Sequence, residues 1–380
     1  MQILLMKQLI PETVYAYGAP DFDQRAEGIS PRRLPAWTRL QIPEAMNVIV
    51  RIPSGVRLQF STDAARLGLS FLATNMVTPP GRRRPITFNL EIDGDLAAAH
   101  STLGNTIVLN PKVPGDFELL RGDADTVWFE DLPAGEKRCE LWLPHNAFIE
   151  LRALVVDNEA TVTTAGPETR PKWIHYGSSI SHCMEADEPG LTWPAVAARY
   201  AGAALQSLGF GGQCHLDQFV ARTIRDAEAD VISIKTGINV INMDSMRERA
   251  FTPALHGFLD TIREGKPDVP LIVVSPIFCP SAEDHPGPTV PDRQGRFITI
   301  KGHDEIRDGC MSLVRVREII AEVVEKRRDS GDAHLHYLDG LTLFGAADAG
   351  DLPDDLHPNP PGYVRMGERF APTLSAHLPS

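Results

Sequence analysis

Ser179, Asp354 and His357 are the residue types that nucleophilic acyl chemistry needs, and they fall in two short segments far apart in the chain. A serine hydroxyl attacks a carbonyl when a base takes its proton, a carboxylate orients that base, and donors receive the oxyanion. The first segment reads Tyr176-Gly177-Ser178-Ser179-Ile180 and closes an apolar run of strand type. It is not the GxSxG nucleophile elbow, since Ile180 follows the serine and no second glycine completes the motif. A Ser-Ser pair after a strand is otherwise a helix cap or a turn, so this segment alone leaves both readings open. Asp354 and His357 lie in a Pro-rich coil, where such side chains are commonly just solvated. Their three-residue separation nevertheless lets both converge in one turn, with the carboxylate on Nδ1 and Nε2 facing the serine. Asp355 is the adjacent competitor for the carboxylate role.

The elements that must position these residues follow from the hydrophobic periods. After a stretch rich in Thr, Pro, Gly and charge (158–172), WIHYG, ALQSLGF, ADVISIKTG, PLIVVSPI and HLHYLDG read as five buried-type strands. Helices are expected between and after them: one over TWPAVAARYAG with Thr192 as cap and Pro194 in its first turn, then 216–227, 246–264, 305–328 and 362–377. Strands alternating with helices imply an α/β, flavodoxin-like, three-layer parallel sheet, which binds ligands beyond the carboxyl ends of its strands. Those ends hold Ser178-Ser179, residues 209–212, residues 237–239 and Ser275-Pro276.

Ahead of this region the period is shorter. NVIVRIPSGVRLQF reads as two strands around Pro53-Ser54-Gly55, and ITFNLEIDGDL alternates up to the Asp93-Gly94 turn. CELWLPHNAFIELRALVV continues the alternation, which implies an antiparallel β-sandwich of jelly-roll type. Two domains are expected: residues 1–165 as the sandwich and residues 172–380 as the α/β unit.

Four segments at the strand ends resemble the SGNH hydrolases, also known as the GDSL esterases and lipases, over about half the chain. Gly177-Ser178-Ser179-Ile180 is similar to the family's Gly-Asp-Ser-Leu block, Gly211-Gly212 to its glycine block, Gly237-Ile238-Asn239 to Gly-x-Asn, and Asp354-Asp355-Leu356-His357 to Asp-x-x-His. The resemblance implies a serine esterase with Ser179, Asp354 and His357 as triad. The Ser179 and Gly212 N–H groups and the Asn239 amide would then form the oxyanion hole. Asn239 read on its own also suits a turn cap. Ser178 and Val240 depart from the family, which has Asp at both positions, and neither moves a proton. A branch with Gly-Ser-Ser-Ile and an N-terminal β-sandwich is the most similar. The resemblance implies short acyl or acetyl esters, with a carbohydrate as one candidate alcohol. The competing reading is a catalytically inactive glycan-binding protein using the sandwich.

A net charge of −13 disfavours nucleic acid and anionic lipid as partners. The apolar start of the chain suits neither a secretory signal nor a span, and five scattered cysteines suit a reducing compartment, so a cytoplasmic protein is expected. His334 and His336 read as an ordinary strand rather than a metal pair, and no metal or cofactor is expected. GFGG lacks the third glycine of a dinucleotide fingerprint. The long segment 276–304 is a candidate border or lid of the site, with Phe278, His285, Phe297 and Arg293 as candidate substrate contacts and Trp193 as either contact or core. A small-molecule or sugar ester is the expected partner, with a homo-oligomer as a further option. A neutral histidine base would give activity rising through a pKa of about 6–7.

Overall fold

Alternating apolar residues between Arg57 and Val156 build two sheets in the computed structural model, which describes residues 1–379 other than 11, 80, 114 and 301–307. Among the described residues, one sheet has eight strands, with Leu67–Val77 and Ala147–Val156 as its long antiparallel pair. The other has six, including Arg57–Thr62, Lys137–Trp142, Ile86–Ile92 and Asp95–Ser101. Leu58, Phe60 and Phe88 from one sheet and Leu69, Phe71 and Ile149 from the other share a single apolar cluster, the core of a sandwich. Pairing is antiparallel throughout except between Leu67–Val77 and Asn105–Leu109. Asp93 (φ 53°) and Gly94 (φ 89°) make the two-residue turn that their sequence predicts.

The sequence misleads at one place here. Residues 47–51, expected as a strand, begin in the helix Glu44–Ile49. Pro43 precedes it, Glu44 sits in its first turn, and Met46 and Val50 are buried four residues apart. Val48-Ile49-Val50 has strand propensity but no partner strand. The segment 158–172 also differs from a plain linker, because Val162–Thr163 pairs with Arg57–Thr62.

The first unit comprises Met1–Leu40, Asn47–Glu168 and Asp187–Gly190; the second comprises Gln41–Met46, Thr169–Ala186 and Leu191–Ser380. In the second, β1 (Lys172–Gly177), β2 (Ala204–Gly209), β3 (Val231–Lys235), β4 (Leu271–Val274) and β5 (Leu335–Leu338) form a parallel sheet in the order β2-β1-β3-β4-β5. That is the flavodoxin-like order, and the switch point lies beside β1. Every residue of β3 and β4 is buried, as expected of strands covered on both faces.

Helices α1 (Ser179–His182), α2 (Trp193–Ala201), α3 (Gln218–Asp226), α4 (Ile238–Asn242), α5 (Glu248–Arg263), α6 (Leu313–Asp329) and α7 (Pro360–Ser375) connect and cover the sheet. The helix expected from 305 starts at Leu313, where the Ser312 hydroxyl accepts the Arg315 N–H at 3.3 Å; residues 305–307 lie outside the described ones.

Candidate active site

Space at the ends of β1 and β2 dictates glycine. A Cβ on Gly177 would stand 2.2 Å from Ser181 Oγ, and one on Gly209 would stand 2.5 Å from the Ser181 carbonyl carbon. With both positions bare, α1 settles directly onto the strand ends. Ser178 Oγ caps α1 by accepting the Ile180 N–H at 3.3 Å, and Cys183 closes it in the left-handed region at φ 59°. The two readings of the Ser-Ser pair thus divide between its members. Ser178 is the buried cap, and Ser179 is the partly exposed hydroxyl.

The loop after β5 brings the second segment to Ser179. Asp354 Oδ1 accepts the N–H groups of Leu356 (3.0 Å) and His357 (2.7 Å), which folds 354–357 into a tight turn. Its other oxygen, Oδ2, faces His357 Nδ1 at 2.7 Å, and His357 Nε2 lies 2.9 Å from Ser179 Oγ. Asp355 is excluded from that role: its backbone is left-handed at φ 63°, and its carboxylate pairs with Arg296 Nε at 2.6 Å. Burial raises the Asp354 pKa, but hydrogen bonds from His357 outweigh it and hold the carboxyl below its ordinary value. Burial lowers the His357 pKa, yet Glu185 and Asp354 together push it up to about 9. That direction is opposite to what burial alone would give, because two carboxylates rather than one act on the imidazole.

Asn239 is held on α4 by Gly237, whose φ of 116° and contacts leave no room for a side chain; a Cβ would lie 2.5 Å from Val316 Cγ1. Asn239 Oδ1 accepts the Cys214 N–H at 3.0 Å, so its orientation is tied to the 209–214 loop. Its Nδ2 has no protein acceptor among the described residues. In that loop a Cβ on Gly211 would lie 3.8 Å from Ser179 Cβ, while Gly212 (φ 67°) faces open space. The peptide joining these glycines carries the Gly212 N–H.

Of the candidate substrate contacts, Phe297 reaches the site. Its ring meets His357 edge-on at 5.7 Å, and its N–H donates to the Asp354 carbonyl at 2.8 Å. It lies on a hairpin of Thr289–Pro291 and Phe297–Thr299 within the long 276–304 segment; residues 301–304 fall outside the described ones. Phe278 is half-buried and bonded through its N–H to the Phe344 carbonyl, and His285 and Arg293 are exposed. Among the described residues none of the three has a hydrogen bond or ring contact with the triad. Trp193 is core: it is buried against Trp173 and Phe370 and donates to the Ile180 carbonyl at 2.9 Å. His336 is beside His377, with ring centroids 4.3 Å apart.

Glu185 was missed in the sequence. An acidic residue six positions after the serine has no periodicity or motif to mark it, and only the fold brings it to His357.

Residues 171–281 match the GDSL-like lipase/acylhydrolase family, and residues 14–152 match the N-terminal domain of SsfX3. The α/β unit is a GDSL-like lipase/acylhydrolase domain. Its histidine segment lies beyond the matched stretch, so the hydrogen-bond geometry is independent support for it. No curated protein sequence matches the chain. Among solved structures, the salicylyl-acyltransferase SsfX3 from a tetracycline biosynthetic pathway is similar at 28% identity, covering 99% of this chain and 97% of that one, with a TM-score of 0.81. A GDSL-like lipase from Bacteroides ovatus is similar at 18% identity, with 99% and 97% covered and a TM-score of 0.68. A family two carbohydrate esterase from Clostridium thermocellum, in complex with cellohexaose, shares 13% identity over 95% and 98%, with a TM-score of 0.60. The last two likenesses establish the fold. Together these findings support acyl-ester hydrolysis or acyl transfer. No helix among the described residues is long and apolar enough to cross a membrane.

Proposed function

We propose that the protein is a serine esterase that hydrolyses carboxylic esters through an acyl-enzyme on Ser179. One observation carries this reading: the continuous hydrogen-bonded chain from Ser179 Oγ through His357 to Asp354, with spacings of 2.9 and 2.7 Å. His357 Nε2 takes the hydroxyl proton as Ser179 Oγ bonds to the ester carbonyl carbon. The resulting oxyanion faces the N–H groups of Ser179 and Gly212 and the Asn239 amide. The imidazolium then protonates the leaving alkoxide as its C–O bond breaks, releasing an alcohol. Water adds to the acyl-enzyme by the same route, giving a carboxylic acid and restoring the serine.

Short acyl or acetyl esters are the proposed substrates, with a sugar as one candidate alcohol; the likeness to a carbohydrate esterase supports that choice. A second reading is favoured by the likeness to SsfX3 over nearly the whole chain, namely transfer of the acyl group to an acceptor other than water. Both share the acyl-enzyme and differ in what attacks it. A glycan-binding protein without catalysis is disfavoured by the assembled Ser179–His357–Asp354 chain. A cytoplasmic setting is supported by Cys139, Cys183, Cys214 and Cys279, which are buried thiols. Acidic composition supports partners other than nucleic acid or membrane, and self-association into a homo-oligomer is compatible with this reading.

The test is p-nitrophenyl acetate turnover with mass spectrometry of the intact protein. A transient acetyl adduct on Ser179 is expected, and adding alcohols shows whether water or an acceptor takes the acyl group. Turnover with no adduct, and no labelling of Ser179 by a fluorophosphonate, would overturn the reading.

A further inference from the structure

Two carboxylates face the Nδ1 side of His357, and the triad uses one. Asp354 Oδ2 lies at 2.7 Å, and Glu185 Oε1 stands 3.9 Å away. The other oxygen of Glu185 accepts the Tyr363 hydroxyl at 2.8 Å. Tyr363 is fully buried in the first turn of α7, so the tyrosine fixes the carboxylate rather than following it. The Glu185 side chain is 36% exposed. A carboxylate that open to water would ordinarily turn outward, and the buried hydroxyl gives it a reason to stay beside the imidazole.

We propose that Glu185, held by Tyr363, is a positioning residue: a second carboxylate behind His357 that stabilises the imidazolium formed in each proton transfer. The inference rests on the reading of Ser179 and His357 as nucleophile and base.

The groups facing the ring come from several elements. Ser179 belongs to α1, Glu185 to the turn after α1, Asp354 to the histidine's own loop, and Phe297 to the hairpin. Tyr363 acts from α7 through Glu185, and Arg296 of the hairpin is paired with Asp355 instead. The charged groups acting on the imidazole are therefore both acidic, which agrees with the upward displacement of its pKa. A charge a few ångströms away displaces a pKa by about 1–3 units when partly screened from water.

Glu185→Gln keeps the shape and the tyrosine partner while removing the charge. The rising limb of kcat/KM against pH, set by deprotonation of His357, is expected to move down by about one unit. Tyr363→Phe should move it in the same direction by less, and Glu185→Asp should restore part of the displacement. Asp354→Asn should keep measurable turnover that the Asp354→Asn/Glu185→Gln double variant loses, an effect larger than the product of the single losses. A Glu185→Gln profile superimposable on wild type, in a protein with native circular dichroism and no turnover once Ser179 is alanine, would overturn the inference alone. Persistent turnover in Ser179→Ala would overturn the triad reading beneath it. Should Glu185→Gln not fold, Glu185→Asp and Tyr363→Phe carry the same decision, with an unmoved limb in both counting against the proposal.

Discussion

His175 and His357 both meet serines in the α/β unit, and they have opposite fates. Inside β1, His175 sits between Ser181 Oγ and Ser233 Oγ, each 2.7 Å from a ring nitrogen, with the Trp193 ring 4.6 Å away. Burial, and then the positive charge of buried Lys235, lowers its pKa to about 3, so it is a neutral link in the core. At the strand ends, His357 also meets a serine, at 2.9 Å, but its other nitrogen faces carboxylates and its pKa is driven up to about 9. A serine next to a histidine is therefore not a nucleophile by proximity. What lies behind the imidazole, and whether the hydroxyl is open, separates a base from a strut.

The largest effect that could break this comparison is at Ser179. Ser179→Ala should lower esterase kcat by about 10⁶-fold while leaving the melting temperature close to wild type, as loss of a triad nucleophile does elsewhere. Retained turnover of p-nitrophenyl acetate would erase the distinction between the two serines. Removing a donor should cost less: Asn239→Ala is expected to reduce kcat by ~10²–10³ with little change in KM, in steady-state assays across substrate concentration.

The histidines can also be told apart by pH. The base must be neutral to accept a proton, and a group with its pKa at about 9 is mostly charged at neutrality. Activity should therefore rise by roughly 50-fold between pH 7 and pH 9, and a profile already flat above pH 7 would contradict the two-carboxylate environment. The smallest effect belongs to the core pair. Ser181→Ala leaves His175 Nε2 without its buried partner and should lower unfolding stability by about 1–3 kcal/mol in urea titrations. Its kcat should stay within a few fold of wild type, and a loss comparable to that of Asn239→Ala would mean that the buried pair also serves the chemistry.

Much of this architecture can be read from periodicity. β3 and β4 are apolar runs bounded by turn residues, and they emerge as buried parallel strands; Asp93-Gly94 forms its hairpin because both residues tolerate positive φ. Residues 47–51 were misread because β-branched residues indicate a strand only when a partner strand is present, and here burial of Met46 and Val50 favours a helix. The site was legible in part. Ser179, Asn239 and Asp354/His357 follow strand ends at spacings that chemistry constrains, whereas Phe278, His285 and Phe297 lie in a segment with no period, and only Phe297 among them touches the triad.

The sequence by itself determined which hydroxyl, imidazole and carboxylate types are available, and the glycines at 177, 209 and 237 without which α1 and α4 would have no room. These are local matters of spacing and van der Waals contact. The tertiary structure decided which serine is open and which is capped, that Asp355 turns to Arg296 while Asp354 holds the imidazole, and that Glu185 reaches His357 at all. Each of those outcomes depends on burial and on groups brought together across sequence separations as large as 178, as between Ser179 and His357. Electrostatics of that kind is set by distance in space, which no spacing along the chain encodes.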